Sequence, residues 1–210
     1  MKFTPIGVDR LPVTLADRLI QAHHGSRPLR VALDGPRCAR LDELAEAVRV
    51  QLTGVGRPVG VVAADWFYRD ASLRLEYGRQ DVEAFYSGWL DRAALQREVL
   101  RPVLEDGRYL PSLRDPVSNR ATRTDPIALP GNGLLLLVGE LLLGSELEFD
   151  VTIHASVSRQ ARRRQTEADW PEWAWTLPAF DRYDIDVDPA AIADLVLRRD
   201  DPKHPALGTS

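Results

Sequence analysis

The sequence predicts a doubly wound α/β sheet, largely parallel and flanked by helices. Three observations carry this. Residues 31–33, 59–63 and 134–138 are short apolar runs without polar alternation, as expected of parallel strands covered on both faces. Stretches with apolar residues at helical spacing lie between them. Residues 31–48 give strand, glycine turn and helix in immediate succession: Val31-Ala32-Leu33, then Asp34-Gly35-Pro36, then Leu41, Leu44, Ala45 and Val48. That order is the layout of a phosphate-binding loop, and ligands of such sheets sit at the carboxyl ends of strands.

The elements follow in order. Thr14 is placed to cap a helix over 15–24, and Gly25 to end it. Residues 29–33 are a buried strand and 41–52 an amphipathic helix. A turn at 54–58 leads to the strand 59–63. A polar connection over 69–80 reaches Asp81, an N-cap for a helix over 82–89, and Asp91 caps the next, over 93–104. Residues 107–113 and 124–129 are expected to pair as a small hairpin around 114–123. The strand 134–138 is followed by a turn or helix at 140–143, and 149–157 is a fourth strand. Residues 158–166 form a basic helix, 170–175 an aromatic segment, 177–183 and 190–194 further helical pieces, and 195–197 a last strand. Residues 200–210 read as a Pro-rich tail.

The 210 residues suit one domain spanning 1–210, and 44% hydrophobic residues supply a core. A net charge of −4 gives no bulk attraction for nucleic acid. The single Cys38 excludes an internal disulfide. The N-terminus lacks the apolar run of a signal peptide, and no stretch is long enough to span a membrane, so a soluble cytoplasmic protein is expected.

Three groups stand at strand ends: Asp34-Gly35, Asp65 and Glu140. A carboxylate at Asp65 suits proton abstraction from a hydroxyl or a water-mediated hold on Mg²⁺, against the plainer reading of a turn cap. Phe67 and Tyr68 beside it suit the wall of a base pocket. In the loop, Gly35 matches the first glycine of G-x-x-x-x-G-K-[ST]. Arg40, Leu41 and Asp42 stand where Gly, Lys and Ser/Thr belong. Arg37 and Arg40 are candidates to replace the missing lysine, since guanidinium binds phosphate well. Asp42 and Glu43, in the first turn of the helix, put negative charge where a phosphate would sit. Arg159, Arg162, Arg163 and Arg164 make a basic helical face, either solvated or closing as a lid. Trp170, Trp173 and Trp175 either pack that lid down or present a ligand or partner surface. The four histidines show no metal spacing, and no metal site is assigned.

Several stretches resemble the uridine kinase family of P-loop nucleoside kinases. They are residues 31–35 with the helix after them; Asp65-Trp66-Phe67-Tyr68; Tyr77-Gly78-Arg79, Phe85-Tyr86 and Trp89-Leu90-Asp91; the loop from Asp115 to Arg120; and Leu177-Pro178, Tyr183, Pro189, Ala193-Asp194 and Asp201-Pro202 up to Pro205. Their order covers roughly residues 29 to 207. The resemblance implies a P-loop-kinase-like fold with small hairpin and lid insertions. It implies transfer of the ATP γ-phosphate to a nucleoside hydroxyl with Mg²⁺. Asp65 would be the general base, Gly35, Arg37, Arg40 and Arg163 would face phosphate, and Phe67, Tyr68, Arg79 and Arg120 would contact substrate. The sequence departs from the family in the loop, and where the family has Glu-Gly after its third strand it reads Val138-Gly139, with Glu140 displaced by two positions. Two functions are therefore expected: a uridine-kinase-like phosphotransferase that works through arginines, or a pseudokinase that holds a nucleoside-like ligand or a protein partner without transfer. Nucleic acid and membrane are not expected partners, and self-association is left open.

Overall fold

A computed structural model describes residues 2–209. Nine strands form. Seven join one sheet: β1 (Lys2–Pro5), β2 (Leu29–Asp34), β3 (Val59–Ala63), β6 (Leu134–Gly139), β7 (Val151–Ser156), β8 (Leu195–Arg198) and β9 (Ala206–Thr209), in the order β1-β9-β8-β7-β2-β6-β3. The five central strands run parallel, and β9 and β1 add an antiparallel edge. β4 (Arg108–Tyr109) and β5 (Ile127–Ala128) make the small hairpin, shorter than the sequence suggested.

Side chains on β2 and β6 alternate between two packed layers. Val31, Leu33, Leu134 and Leu136 face α1 (Leu11–Ala22) and α2 (Leu41–Gly54). Leu135 and Leu137 face the opposite side, with Leu95, Val99, Leu100 and Val103. Those four come from one continuous helical stretch: α3 is Ala71–Arg74, α4 Val82–Gly88, and then α5 (Arg92–Leu95), a π-turn (Gln96–Leu100) and α6 (Pro102–Glu105) run on. Asp81 and Asp91 cap as expected, accepting the amides of Ala84 and Ala94. A third cluster, with Phe85, Trp89, Phe180 and Val196, lies under α4 and α8 (Leu177–Asp186). Helix α7 (Arg159–Asp169) and a 3₁₀ segment (Pro171–Thr176) connect β7 to α8, and α9 (Pro189–Ile192) precedes β8.

Several sequence expectations change. Helix α1 begins at Leu11 with Pro12 in its first turn, so Thr14 is not its cap. The run 59–63 is the edge strand β3, with every second residue only half-buried, rather than a strand covered on both faces. The Pro-rich tail ends in β9, and residues 2–5 pair with it. The aromatic segment is docked: Trp173 and Trp175 stack with ring centres 6.4 Å apart and pack on Phe85 and Trp89.

Candidate functional site

The carboxyl ends of β2, β3 and β6 bring Gly35, Asp65 and Glu140 to one cleft of about 360 Å³, while Asp34 is buried behind it. Close backbone approach makes it possible. A Cβ on Gly139 would stand 2.5 Å from the Ala64 Cβ, and one on Gly35 would stand 2.9 Å from that of Ala155. Both glycines are therefore required by space.

The loop after β2 keeps the bend of a phosphate loop without its chemistry. Pro36 is extended, residues 37–39 make a 3₁₀ turn, and Arg40 is left-handed at φ 50°. Arg40 thus adopts, at a cost of roughly 1–2 kcal/mol, the conformation a glycine takes freely. The loop's amides are turned on the protein itself. Arg37 N–H donates to Glu140 Oε1 at 2.7 Å, Ala39 N–H to the Pro36 carbonyl, and Arg40 N–H to that of Arg37. Leu41, where lysine belongs, is 5% exposed and packs in the core beneath Gly35.

Both loop arginines are engaged. The Arg37 guanidinium lies 3.6 Å from Glu140 and 4.1 Å from the centre of the Trp173 ring, a cation–π contact. Arg40 pairs with Glu43 at 3.2 Å and with Asp169 at 2.8 Å, and lies over Trp170. Glu140 is 12% exposed at its side chain. Burial pushes its carboxyl above the usual range, against the pull of Arg37. Cys38 is buried in the same loop, and burial pushes its thiol up to about 11, which leaves it protonated at neutral pH.

The turn after β3 is different. Asp65 begins a 3₁₀ turn (Ala64–Phe67), and its Oδ1 is buried without a hydrogen-bond partner. Burial raises its carboxyl too, again opposed by Arg37. Tyr68 lines the same cleft, and burial holds its hydroxyl in the O–H form. Trp66, Leu90 and Trp170 complete the apolar wall.

The cleft therefore gathers Gly35, Arg37, Arg40, Asp65 and Tyr68 from the predicted set. It does not gather the others. Phe67 is fully buried core. Arg79 and Arg120 are exposed and do not line the cleft. Arg163 is exposed and bonded to Glu167 one turn on, outside the cleft. The inward arginine of α7 is Arg162, 3% exposed and paired with Asp181 and Asp184 of α8. The sequence marks Glu140 by its strand end and its offset from Glu-Gly, and Trp170 by the aromatic cluster; their places against the loop depend on contacts across the fold.

No family model matches the chain, and no curated protein matches it. Solved structures do. A possible uridine kinase from Bacillus stearothermophilus superposes with a TM-score of 0.70 at 17% identity, over 89% of this chain and 97% of that one. The fold is P-loop-kinase-like. The YGR205w protein aligns with a TM-score of 0.64 at 15% identity, over 98% of this chain and 99% of that one. A putative fructose transport system kinase from Silicibacter sp. TM1040 aligns at 0.61 and 17% identity, over 85% and 90%. At these identities the likeness is one of fold.

Within this P-loop-kinase-like frame, the residues present do not fit ATP and Mg²⁺ held in the family's manner. The Arg37 amide and guanidinium are taken by Glu140 and the next two paired amides by the 3₁₀ turn, an apolar side chain stands at the lysine position, and Asp42 and Glu43 add negative charge at the mouth. Among the described residues no three metal-ligating side chains converge. No helix among them is long and apolar enough to cross a membrane.

Proposed function

We propose that this protein is a P-loop-kinase-like binder of a small hydroxylated, nucleoside-like ligand, which it holds in the Asp65–Tyr68 half of the cleft without phosphoryl transfer. The observation that carries this reading is Glu140 on the loop. Its carboxylate takes the Arg37 amide at 2.7 Å, where an active kinase needs positive potential free for phosphate. Asp65, by contrast, keeps a buried acceptor without a partner, and a ligand hydroxyl would satisfy it. Tyr68 adds a hydroxyl, and Trp66 and Trp170 offer flat apolar faces for a base.

The second reading is phosphoryl transfer with arginine in place of lysine. It draws support from Arg37 and Arg40, which both line the cleft. Calorimetric titration separates the two. Binding of uridine or cytidine, with no heat from Mg-ATP alone or in the nucleoside complex, is the expected result. Micromolar Mg-ATP binding, roughly −8 kcal/mol, with an ATP-dependent phosphorylated nucleoside would establish the kinase instead.

A further inference from the structure

Behind the loop lies a second polar centre. Asp34, fully buried at the end of β2, accepts hydrogen bonds from the Leu142 amide (2.8 Å), the Tyr183 hydroxyl (3.1 Å) and His154 Nδ1 (2.7 Å). Asp34 and His154 are register partners on β2 and β7, so the sheet itself sets them side by side. The Asp34 carboxylate engages Nδ1 and orients the ring, which leaves Nε2 as the nitrogen free for a ligand. Nε2 has no partner among the described residues.

His154 lines a separate cavity of about 200 Å³. Gly35 and Pro36 line both this cavity and the cleft, so they form the partition between the two. Arg162 lines the cavity as well. Its Nη2 is bonded to Asp181 and Asp184, which neutralise it. Ser156 adds a hydroxyl, and Phe180 and Pro189 add apolar surface.

We propose that this cavity is a second small-ligand site, for a neutral polyhydroxylated molecule of monosaccharide size. Charge and hydrogen bonding argue for that class. The arginines at the cavity, Arg159 and Arg162, are already paired with Asp181 and Asp184, so no net positive charge remains to attract an anion. What the cavity lining offers without a partner in the protein is His154 Nε2 and the hydroxyls of Ser156 and Ser158. Ligand hydroxyls, which donate and accept alike, can pair with all three, and the ring of a sugar would lie against Phe180. The volume suits a ligand smaller than a nucleoside. This site does not depend on the function proposed for the cleft.

The test is a titration of histidine-labelled protein with D-ribose, followed by the ring resonances of His154, with the indole N–H of Trp170 as a reporter on the cleft. Glycerol and inorganic phosphate are titrated in parallel. The expected result is a saturable D-ribose shift of the His154 ring, half-complete in the millimolar range, with none from phosphate and Trp170 unmoved. His154→Phe abolishes D-ribose binding. If that variant does not fold, Ala190→Trp at the partly exposed wall of the cavity replaces it and blocks binding sterically. No saturable shift of His154 with D-ribose, a shift with phosphate instead, a D-ribose response confined to Trp170, or binding that survives Ala190→Trp would each overturn the proposal.

Discussion

The turns after β2 and β3 leave the same edge of one sheet and face the same cleft, yet they have been finished differently. After β2, the amides and the guanidinium of Arg37 are consumed within the protein, by Glu140, by the 3₁₀ turn and by the indole of Trp173. After β3, Asp65 keeps a buried oxygen without a partner. One turn is thus closed by the protein's own side chains, while the other keeps an unsatisfied group. The difference is energetic. A buried donor without a partner costs about 1–3 kcal/mol, so a nearby carboxylate that accepts from the Arg37 amide is favoured. Asp65 Oδ1 still bears the corresponding cost, which under the proposed function a ligand hydroxyl relieves.

Removing the filler breaks this comparison most directly. Glu140→Ala leaves the Arg37 amide and guanidinium without their partner and should cost about 2–3 kcal/mol in urea denaturation. A loss under about 0.5 kcal/mol would mean the loop holds its shape without Glu140.

Asp65→Asn probes the open half. Since burial already disfavours the charged carboxyl there, stability should change by less than about 1 kcal/mol, while nucleoside affinity falls by an order of magnitude or more, about 1.4 kcal/mol. Unchanged affinity in calorimetry would move the ligand away from Asp65.

Acid sharpens the same contrast. Glu140 has a folded-state pKa above its ordinary value of 4.5, so the folded protein binds its proton more tightly than the unfolded chain. Its contribution is then fully present below about 4.5 and is lost as the pH rises through the raised folded value. The wild type should gain stability relative to Glu140→Gln as the pH is lowered through that window. A difference between the two that stays flat with pH, or grows as the pH rises, would show that burial does not govern this carboxyl.

The smallest effect concerns the loop's bend. Arg40→Gly relieves a left-handed residue but removes the pairs with Glu43 and Asp169, both largely exposed. The two should offset to within about 1 kcal/mol in thermal denaturation. A larger loss would show that the link from Arg40 to Asp169 holds the segment after α7 in place.

The sequence by itself determined the sheet's parallel core, because continuous apolar runs have few other homes, and it located Asp34, Asp65 and Glu140 at strand ends. It also marked Asp81 and Asp91 as caps, since capping is a local interaction readable over three residues. It did not show the β1–β9 edge, where short strands pair across nearly the whole chain, nor that β3 lies at the sheet's margin, which strand order alone decides. The tertiary structure decided the site. Whether Arg37 is free for a ligand depends on Glu140, 103 positions away, and on the docking of Trp173. Whether His154 is an ordinary strand residue or the partner of a buried carboxylate depends on the β2–β7 register, 120 positions apart. Local pattern fixes which chemistry a chain carries, but only packing across the fold fixes which of it stays unsatisfied and so available to a ligand.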